Sequence, residues 1–390
     1  MSRKLAVDIG TTTVALSVVD TGSAIMPPQT VIENPQRLYG SDVLSRMNNA
    51  AKQKLAAKMR TMIRKAICDA AAAGGADWHS LSGVTLSGNT LMTHLFHELD
   101  VSGMLAAPFT PAELSPAVCD WDGVPVISMP AVSAFVGGDI VSGIYALDLI
   151  HSESPVLFAD LGTNGELVLF TDGRLVTSSV AAGPAFEGGS LSIGMPALPG
   201  AIDALTVKNG FCRVHTIDDV LPPKGLCGSG LIEAVYELLQ DGILDRHGSF
   251  LSNSYRDDGF PLYAQNAGQK LLLTQADIRA FQVAKAAVRA GMDTLLSVCG
   301  LQASDIGCFY LAGSFGAHLD IKKASGTGLI PDAFISNTSL VGNTSLAGAI
   351  RLSQRPDDIA EVADIARHAE SVSLADSDFF KEAYIRYMEL

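Results

Sequence analysis

One pattern of strand, tight turn and strand occurs twice in the chain, at residues 5–22 and 157–173. In each copy an apolar run ends in Asp, an aliphatic residue and Gly-Thr, and a second apolar run follows after two small or polar residues. The first copy reads LAVDIGTTTVALSVVDTG and the second reads LFADLGTNGELVLFTDG. Two copies of one design, each opening its own half of the chain, predict two similar domains that face each other across a cleft.

Both turns have the composition of a phosphate-binding loop. The N–H groups and hydroxyls of such a turn converge on one point, and this arrangement suits an anion. One copy alone favours an ordinary β-turn, but the matched pair favours phosphate binding. The candidate ligands are Gly10, Thr11, Thr12 and Thr13 in the first turn and Gly162, Thr163, Asn164 and Gly165 in the second.

A carboxylate stands at the end of the first strand of each copy, Asp8 in one and Asp160 in the other. Mg²⁺ prefers oxygen ligands and keeps several waters, so these carboxylates predict a Mg²⁺ held directly or through water. A triphosphate bound from both sides would make the angle between the domains depend on its γ-phosphate. The chain contains neither a G-x-x-x-x-G-K-[ST] loop nor a G-x-G-x-x-G run after a strand.

Charge and composition exclude several classes of protein. The formal net charge of −14 argues against nucleic acid or an anionic membrane as the main partner, because both require clustered Lys and Arg. The six cysteines are scattered without a C-x-x-C pair or zinc spacing. No signal peptide is recognisable, and no apolar segment approaches the ~18 residues that a membrane span needs. These features together predict a cytoplasmic protein with reduced thiols.

Strand and helix patterns alternate in both halves, which predicts an α/β fold. We expect a first lobe over 1–152, a second lobe over 153–341, and a C-terminal segment over 342–390 that returns to the first lobe. Two helices rich in small residues, AVSAFVGGDIVSGIYAL and GNTSLAGAI, have the composition of helices that cross closely at a hinge. Ser41 is the expected N-cap of the helical region that follows it.

The paired turns, the two small-residue helices and the later segment LAGSFG resemble the actin, sugar-kinase and heat-shock-chaperone ATPase superfamily. The resemblance implies an actin-like ATPase fold, with two similar lobes of mixed sheet and helices around a nucleotide cleft. It also implies that the two turns are the first and second phosphate motifs. The adenosine motif would then include Gly313, Ser314, Phe315 and Gly316.

A narrower resemblance covers nearly the whole chain. The segments NPQRLYGSDVLSRMNNA, SGNTLMTHLFHELDVSGMLAAPFTP, AGPAFEGGSL, CGSGLIEAVYELL and LAGSFGAHLDIKKASGTGLIPD are similar to the ATPase portion of the reductive activators of corrinoid proteins. Those proteins repair methyltransferase systems by driving Co(II) corrinoid to Co(I) at the expense of ATP. The resemblance implies a corrinoid protein as partner and a homodimer. It further implies adenosine contacts from Gln282 and Lys285, with Gly228 and Ser229 on the other side of the pocket.

Full-length members of that family carry an N-terminal [2Fe–2S] domain held by four closely spaced cysteines. No such group of cysteines occurs in this sequence, so no iron–sulfur cluster is expected in it. A separate iron–sulfur protein is then expected to supply the electron.

Hydrolysis needs a polar group that orients the attacking water, and Asp139 in GGDIVSG is the first candidate. The alternative for Asp139 is a carboxylate that caps the same helix. Glu166 after the second turn is another candidate, although it can also face solvent. Glu187 and Gly188 in AFEGG lie where related ATPases bring a Gly-Gly loop to the phosphates. His94 and His97 have metal-compatible spacing without a third ligand, so a packed or exposed helix face is the better interpretation.

Three functions are compatible with these motifs. The leading hypothesis is an ATP-hydrolysing activator that binds a corrinoid protein and promotes reduction of its cobalt by an external donor. A small-molecule kinase of the same fold would instead transfer phosphate to a hydroxyl compound. A nucleotide-switched scaffold or filament would assemble in the presence of ATP.

Overall fold

The computed structural model describes residues 2–22, 27–40, 42–264, 270–313 and 319–390. The chain divides into two compact units, and each is described by itself. The first unit comprises Met1–Ser152, Gly173–Leu175 and Asn343–Ser371, and the second comprises Glu153–Asp172, Val176–Gly342 and Val372–Leu390. Of the expected C-terminal segment 342–390, residues 343–371 lie in the first unit and residues 372–390 in the second.

The described strands are β1 (Arg3–Ile9), β2 (Thr13–Asp20), β3 (Thr30–Glu33), β4 (Leu81–Gly88), β5 (Val118–Trp121), β6 (Val124–Ser128), β7 (Val156–Leu161), β8 (Gly165–Thr171), β9 (Arg174–Val180), β10 (Ala201–Lys208), β11 (Phe211–Thr216), β12 (Gly225–Leu226), β13 (Phe260–Ala264), β14 (Lys270–Leu273), β15 (Cys308–Gly313), β16 (Thr338–Gly342) and β17 (Glu370–Ser371).

The described α-helices are α1 (Val43–Ala50), α2 (Gln53–Ala73), α3 (Thr90–His97), α4 (Gly138–Ala146), α5 (Gly228–Gln240), α6 (Asn253–Asp258), α7 (Gln275–Val298), α8 (Ile321–Gly326), α9 (Thr344–Gln354), α10 (Ile359–His368) and α11 (Asp378–Arg386). Within the described ranges, no helix combines the length and the hydropathy needed to cross a membrane. Asp42 caps α1 by accepting a hydrogen bond from Ser45 N, whereas Ser41, the expected cap, lies outside the described residues.

The first unit is built on a six-stranded sheet with the order β3-β2-β1-β4-β6-β5. Strands β1 and β2 form an antiparallel hairpin, and β4 runs parallel to β1 on its other side. Successive side chains of a strand point to opposite faces, and both faces of β1 are covered. Leu5, Val7 and Ile9 belong to the core that includes α2 and α3, whereas Ala6 packs with apolar residues of α9. Asp8 therefore projects from the same face as Ala6, toward α9.

The second unit repeats this design in its main sheet, where the order is β16-β15-β7-β8-β9. Strands β7 and β8 form the antiparallel hairpin, and β15 runs parallel to β7. Two smaller sheets, β11-β10-β12 and β13-β14, complete the strands of this unit. The α/β class is thus confirmed, and the duplicated sequence pattern forms the same hairpin in each unit.

Residues 372–390 belong to the second unit because α11 packs along α7. The Tyr387 hydroxyl donates a hydrogen bond to the Asp293 carboxylate, and the Arg289 guanidinium lies 4.7 Å from the centre of the Tyr387 ring. A hydrogen bond and a cation–π contact of this kind stabilise the pairing of the two helices. The sequence does not indicate that α11 packs against α7, since α11 has an ordinary amphipathic pattern.

His94 and His97 lie in the packed interior around α3, as expected. His94 is buried, and its Nδ1 lies 2.7 Å from the Thr90 carbonyl oxygen one turn earlier. The Nε2 of His97 lies 2.5 Å from Ser128 Oγ. Burial, with the charge of Arg64 as the next cause, lowers the pKa of His97 to about 4.

The low pKa of His97 predicts that its titration destabilises the first unit in acid. The unfolded imidazole takes up a proton near pH 6.5, whereas the folded one resists it until about pH 4, so the His97 contribution to stability falls across this interval. We expect this contribution to be a loss of about 2 kcal/mol between pH 7 and pH 4, after allowance for the partial exposure of the ring. Asp8 and Asp139 contribute with the opposite sign, because their raised pKa values favour the folded state in acid. Urea unfolding followed by tryptophan fluorescence measures this, because both tryptophans of the chain, Trp78 and Trp121, lie in the first unit.

His97→Gln should remove most of this acid-induced loss, because glutamine can still bond Ser128 and does not titrate. The matched control is His79→Gln, in which the replaced histidine is exposed. Equal acid sensitivity in the two variants would contradict the assignment to His97.

Candidate functional site

The turn between β1 and β2 is held in shape by its own backbone and by Asn34. Gly10 N donates a hydrogen bond to Thr13 O at 2.9 Å. Asn34 Nδ2 donates to Gly10 O at 2.7 Å, and Asn34 N donates to Thr12 O at 2.9 Å. Because these carbonyl oxygens point toward protein donors, the amide edge of the turn is the side that can bind an anion.

Arg46 of α1 supports the same turn from beneath. The side chain is completely buried, and its Nη2 donates to Thr11 O at 2.8 Å and to Gly40 O at 2.9 Å. Burial lowers the pKa of Arg46 to about 10, a value at which the guanidinium remains charged at neutral pH. Neither Arg46 nor Asn34 was predicted from the sequence as a site residue. For Arg46 the helical spacing gives an indication, because it places this charged residue on the same face of α1 as the apolar residues Val43 and Met47.

Asn89 connects the first turn to the start of α4. Its Nδ2 donates to Thr11 Oγ1 at 3.2 Å, and its Oδ1 caps α3 by accepting from Met92 N. A Cβ atom at Gly137 would lie 2.5 Å from Asn89 Cα. Only glycine permits this approach, which brings the first turn of α4 close to the turn between β1 and β2.

Asp139 lies in that first turn of α4 and is not the helix cap. The N-cap is Gly137, without a side-chain cap bond, and Asp139 Oδ1 accepts a hydrogen bond from Ile140 N at 2.9 Å. Burial, followed by the negative charge of nearby Asp8, raises the pKa of Asp139 well above its usual range. Asp139 therefore does not occupy the N-cap position, although its carboxylate accepts a hydrogen bond from a first-turn N–H group, and Asp8 lies close enough to repel it.

The Asp8 carboxylate is bonded at both oxygens to residues at the start of α9. Ser345 Oγ donates to Oδ1 at 2.7 Å, and Asn343 Nδ2 donates to Oδ2 at 2.9 Å. Burial raises the pKa of Asp8, and these two hydrogen bonds act in the opposite direction. Neither donor was predicted from the sequence, because Asn343 and Ser345 were recognised only as part of the small-residue helix GNTSLAGAI.

The donor set in the first unit suits a hard divalent cation. Asp8 offers carboxylate oxygens, and its repulsion with Asp139 is relieved when a cation is bound beside Asp8. Magnesium requires such oxygen ligands and tolerates water in the remaining positions. The residues present therefore fit Mg²⁺ bound to a nucleotide phosphate.

The second turn has the same construction in its own unit. Asp160 stands near the end of β7, opposite Glu166 on β8, and Gly162 N donates to Asn164 O at 2.9 Å. Thr163 Oγ1 donates to Glu187 Oε2 at 2.5 Å. The structure thus brings Glu187 to the second turn, where it orients a threonine hydroxyl.

Gly188, Gly228 and Gly313 lie around this turn. Gly188 follows Glu187 with a φ of 76°, a conformation that favours glycine. A Cβ at Gly228, the first residue of α5, would lie 2.0 Å from Phe186 O. Gly313 pairs with Leu161 at the end of β7. Ser229 is completely buried, and its Oγ lies 3.3 Å from Cys227 Sγ.

The rest of the expected adenosine motif, Ser314, Phe315 and Gly316, lies outside the described residues. Gln282 and Lys285 of α7 are buried and bonded to the C-terminal segment of their unit. Gln282 Nε2 donates to Met388 O at 2.5 Å, and Lys285 Nζ donates to Glu389 O. Their contact with adenosine stays a prediction.

Two hairpins of one design, each with a glycine turn and a strand-end carboxylate, define a nucleotide-binding protein of the actin-like ATPase class. Residues 154–390 match the family described as the C-terminal domain of RACo, the ASKHA domain, and residues 4–152 match the RACo middle region. The chain belongs to this family. Its actin-like ATPase fold, expected from the paired motifs, is confirmed.

Named relatives agree with this assignment. The corrinoid activation enzyme RamQ of Eubacterium limosum is 28% identical over 98% of this chain. A [Co(II) methylated amine-specific corrinoid protein] reductase of Methanosarcina barkeri is 29% identical over 67% of it. A solved reductive activator for corrinoid, iron-sulfur protein superposes with a TM-score of 0.90 at 34% identity over the whole chain. The chain is a homologue of corrinoid activation enzymes.

The relatives are longer than this chain. The match spans 69% of the E. limosum enzyme, 50% of the M. barkeri reductase and 66% of the solved activator.

Proposed function

We propose that this protein binds Mg-ATP, hydrolyses it, and uses the hydrolysis to promote reduction of a corrinoid protein from Co(II) to Co(I). The electron comes from an external iron–sulfur donor. The observation that carries the proposal is the duplicated hairpin, with Asp8 and Asp160 at equivalent strand ends. Membership of the RACo family supplies the partner class.

In this proposal the two turns bind the phosphates and the strand-end carboxylates hold the metal. Amides and hydroxyls of the turns at 10–13 and 162–165 bind the phosphate oxygens, whereas the N–H groups of Gly10 and Gly162 close the turns themselves. Asp8 and Asp160 would hold Mg²⁺, which would neutralise phosphate charge. Arg46 and Asn34 keep the first turn in its binding conformation from behind.

Asp139 is the group that orients the attacking water. It lies in the first turn of α4, close to Asp8, and Ile140 N fixes one of its carboxylate oxygens at 2.9 Å. A carboxylate held in this way suits a group that orients a water and accepts its proton. Phosphoryl transfer otherwise depends on positioning and charge neutralisation, which the turns and the metal supply.

The proposal is tested with a purified Co(II) corrinoid protein encoded in the same genome. We expect ATP hydrolysis to depend on Mg²⁺, and the corrinoid protein to bind and to change the turnover. With a one-electron donor present, the absorption spectrum should change from Co(II) to Co(I) only when ATP is added. If candidate corrinoid proteins neither bind nor alter turnover, the partner assignment is wrong. Phosphate transfer to an added hydroxyl compound would favour a kinase instead.

A further inference from the structure

The carboxylate of Asp8 is fixed by the N-terminus of α9 rather than by its own strand. Asp8 and Ala6 share one face of β1, and Ala6 packs with Leu346 and Ala349 of α9. This packing places the first turn of α9 beside Asp8. Ser345 and Asn343 then meet one carboxylate oxygen each, at 2.7 and 2.9 Å.

The orientation of the Asn343 amide is set by a second bond. Its Oδ1 accepts from Leu346 N at 2.8 Å and so caps the helix. With the oxygen committed to the cap, the NH₂ group must face Asp8. A single side chain therefore couples the start of α9 to the carboxylate.

Ser345 is held in a similar way. Its Oγ lies 2.8 Å from Ser87 Oγ, and Ser87 Oγ lies 3.2 Å from Gly138 O at the start of α4. Both serines are buried. Of the acceptors within reach of Ser345, the carboxylate is the strongest, so Ser345 donates its proton to Asp8 and its oxygen is left to accept the proton of Ser87.

We propose that Asn343 and Ser345 are positioning residues that hold both oxygens of Asp8 in the orientation that binds the nucleotide's metal. The inference rests on the proposed function. Each hydrogen bond uses one lone pair of a carboxylate oxygen and leaves the other side of the oxygen open to a cation. Groups that orient a metal ligand from behind typically contribute a factor of about 10 to 100 in metal affinity.

The test compares two serine-to-alanine variants of one helix. Ser345→Ala removes a donor to Asp8. Ser353→Ala, the matched control, removes an equally buried hydroxyl that donates to Thr85 Oγ1 at 2.8 Å. Ser353 lies eight residues further along α9, about 12 Å from Ser345 along the helix axis. Binding of Mn²⁺ in the presence of ADP is measured directly, from the EPR signal of the free ion.

We expect Ser345→Ala to weaken Mn²⁺ binding about tenfold and Ser353→Ala to leave it unchanged within about twofold. The apparent Mg²⁺ requirement of ATP hydrolysis should rise by the same factor, and saturating Mg²⁺ should restore most of the turnover. Equal Mn²⁺ affinity in the two variants would overturn the inference. If wild-type protein with ADP binds no Mn²⁺, the proposed function itself fails, and the two failures are thereby distinguished.

A second variant separates positioning from helix capping. Asn343→Thr keeps a good N-cap residue, but its hydroxyl is too short to cap the helix and reach Asp8 together. We expect weakened Mn²⁺ binding with unchanged tryptophan fluorescence and unchanged urea unfolding of the first unit. Wild-type Mn²⁺ affinity in Asn343→Thr would mean that Asn343 acts only as a cap. This variant also decides the question if Ser345→Ala does not fold.

Discussion

Asp8→Asn is expected to lower Mg²⁺-dependent ATP hydrolysis by about 100-fold or more, while the first unit stays folded. The substitution keeps the size of the side chain and removes the charge that faces the metal. It also removes repulsion between residues 8 and 139 but places an NH₂ group opposite Asn343 or Ser345, so these effects oppose each other and the stability of the first unit should change by less than about 2 kcal/mol. Hydrolysis is measured as phosphate release over a range of Mg²⁺ concentrations, and stability by urea unfolding with tryptophan fluorescence.

The control for this prediction is Asp20→Asn, at the other end of the same hairpin. Asp20 is more than half exposed and lies 3.6 Å from Arg3, so its charge affects only a weak surface pair. Asp160→Ala in the second unit should also abolish hydrolysis with an intact fold. Normal turnover in either site variant would mean that the metal is held by other residues.

Asp139→Asn is the second prediction with a large effect. We expect kcat for ATP hydrolysis to fall about 100-fold, which is within the usual range for loss of a general base. The affinity for ATP should change less than about threefold, because an interaction made only in the transition state lowers kcat without weakening the ground state. Turnover and nucleotide binding are measured separately, by phosphate release and by calorimetry.

The matched control is Asp148→Asn. Asp148 lies just beyond the C-terminal end of α4 and is more than half exposed, so the same substitution is made near the opposite end of the same helix. Equal losses in ATP affinity and in kcat for Asp139→Asn would assign Asp139 to binding rather than to orientation of the water. An unchanged kcat would exclude it from the reaction.

Much of the candidate site was predictable because its parts are contiguous in the chain. Asp8 with its turn, and Asp160 with its turn, each occupy a few successive residues whose geometry depends on local backbone preferences. The glycine pair before Asp139 similarly indicates a close approach of a helix start, and the structure shows that approach at Asn89.

The supporting residues of the first turn were not predictable in the same way. Asn343 and Ser345 are more than 330 positions from Asp8, and a capping asparagine at a helix start is common in proteins. Arg46 and Asn34 also have ordinary local contexts. Their roles depend on which face of β1 packs against α9 and on where α1 packs. No single segment of the sequence determines either arrangement.

The sequence by itself determined the duplicated hairpin, the α/β alternation and the strand-end carboxylates, because period-two burial and glycine turns are local properties. Only the tertiary structure decided that α9 holds Asp8, that Arg46 is buried beneath the first turn, and that residues 372–390 pack with the second unit. The physical reason is that these contacts join segments far apart in the chain. Their free energy comes from burial and from hydrogen bonds that exist only after the units have packed.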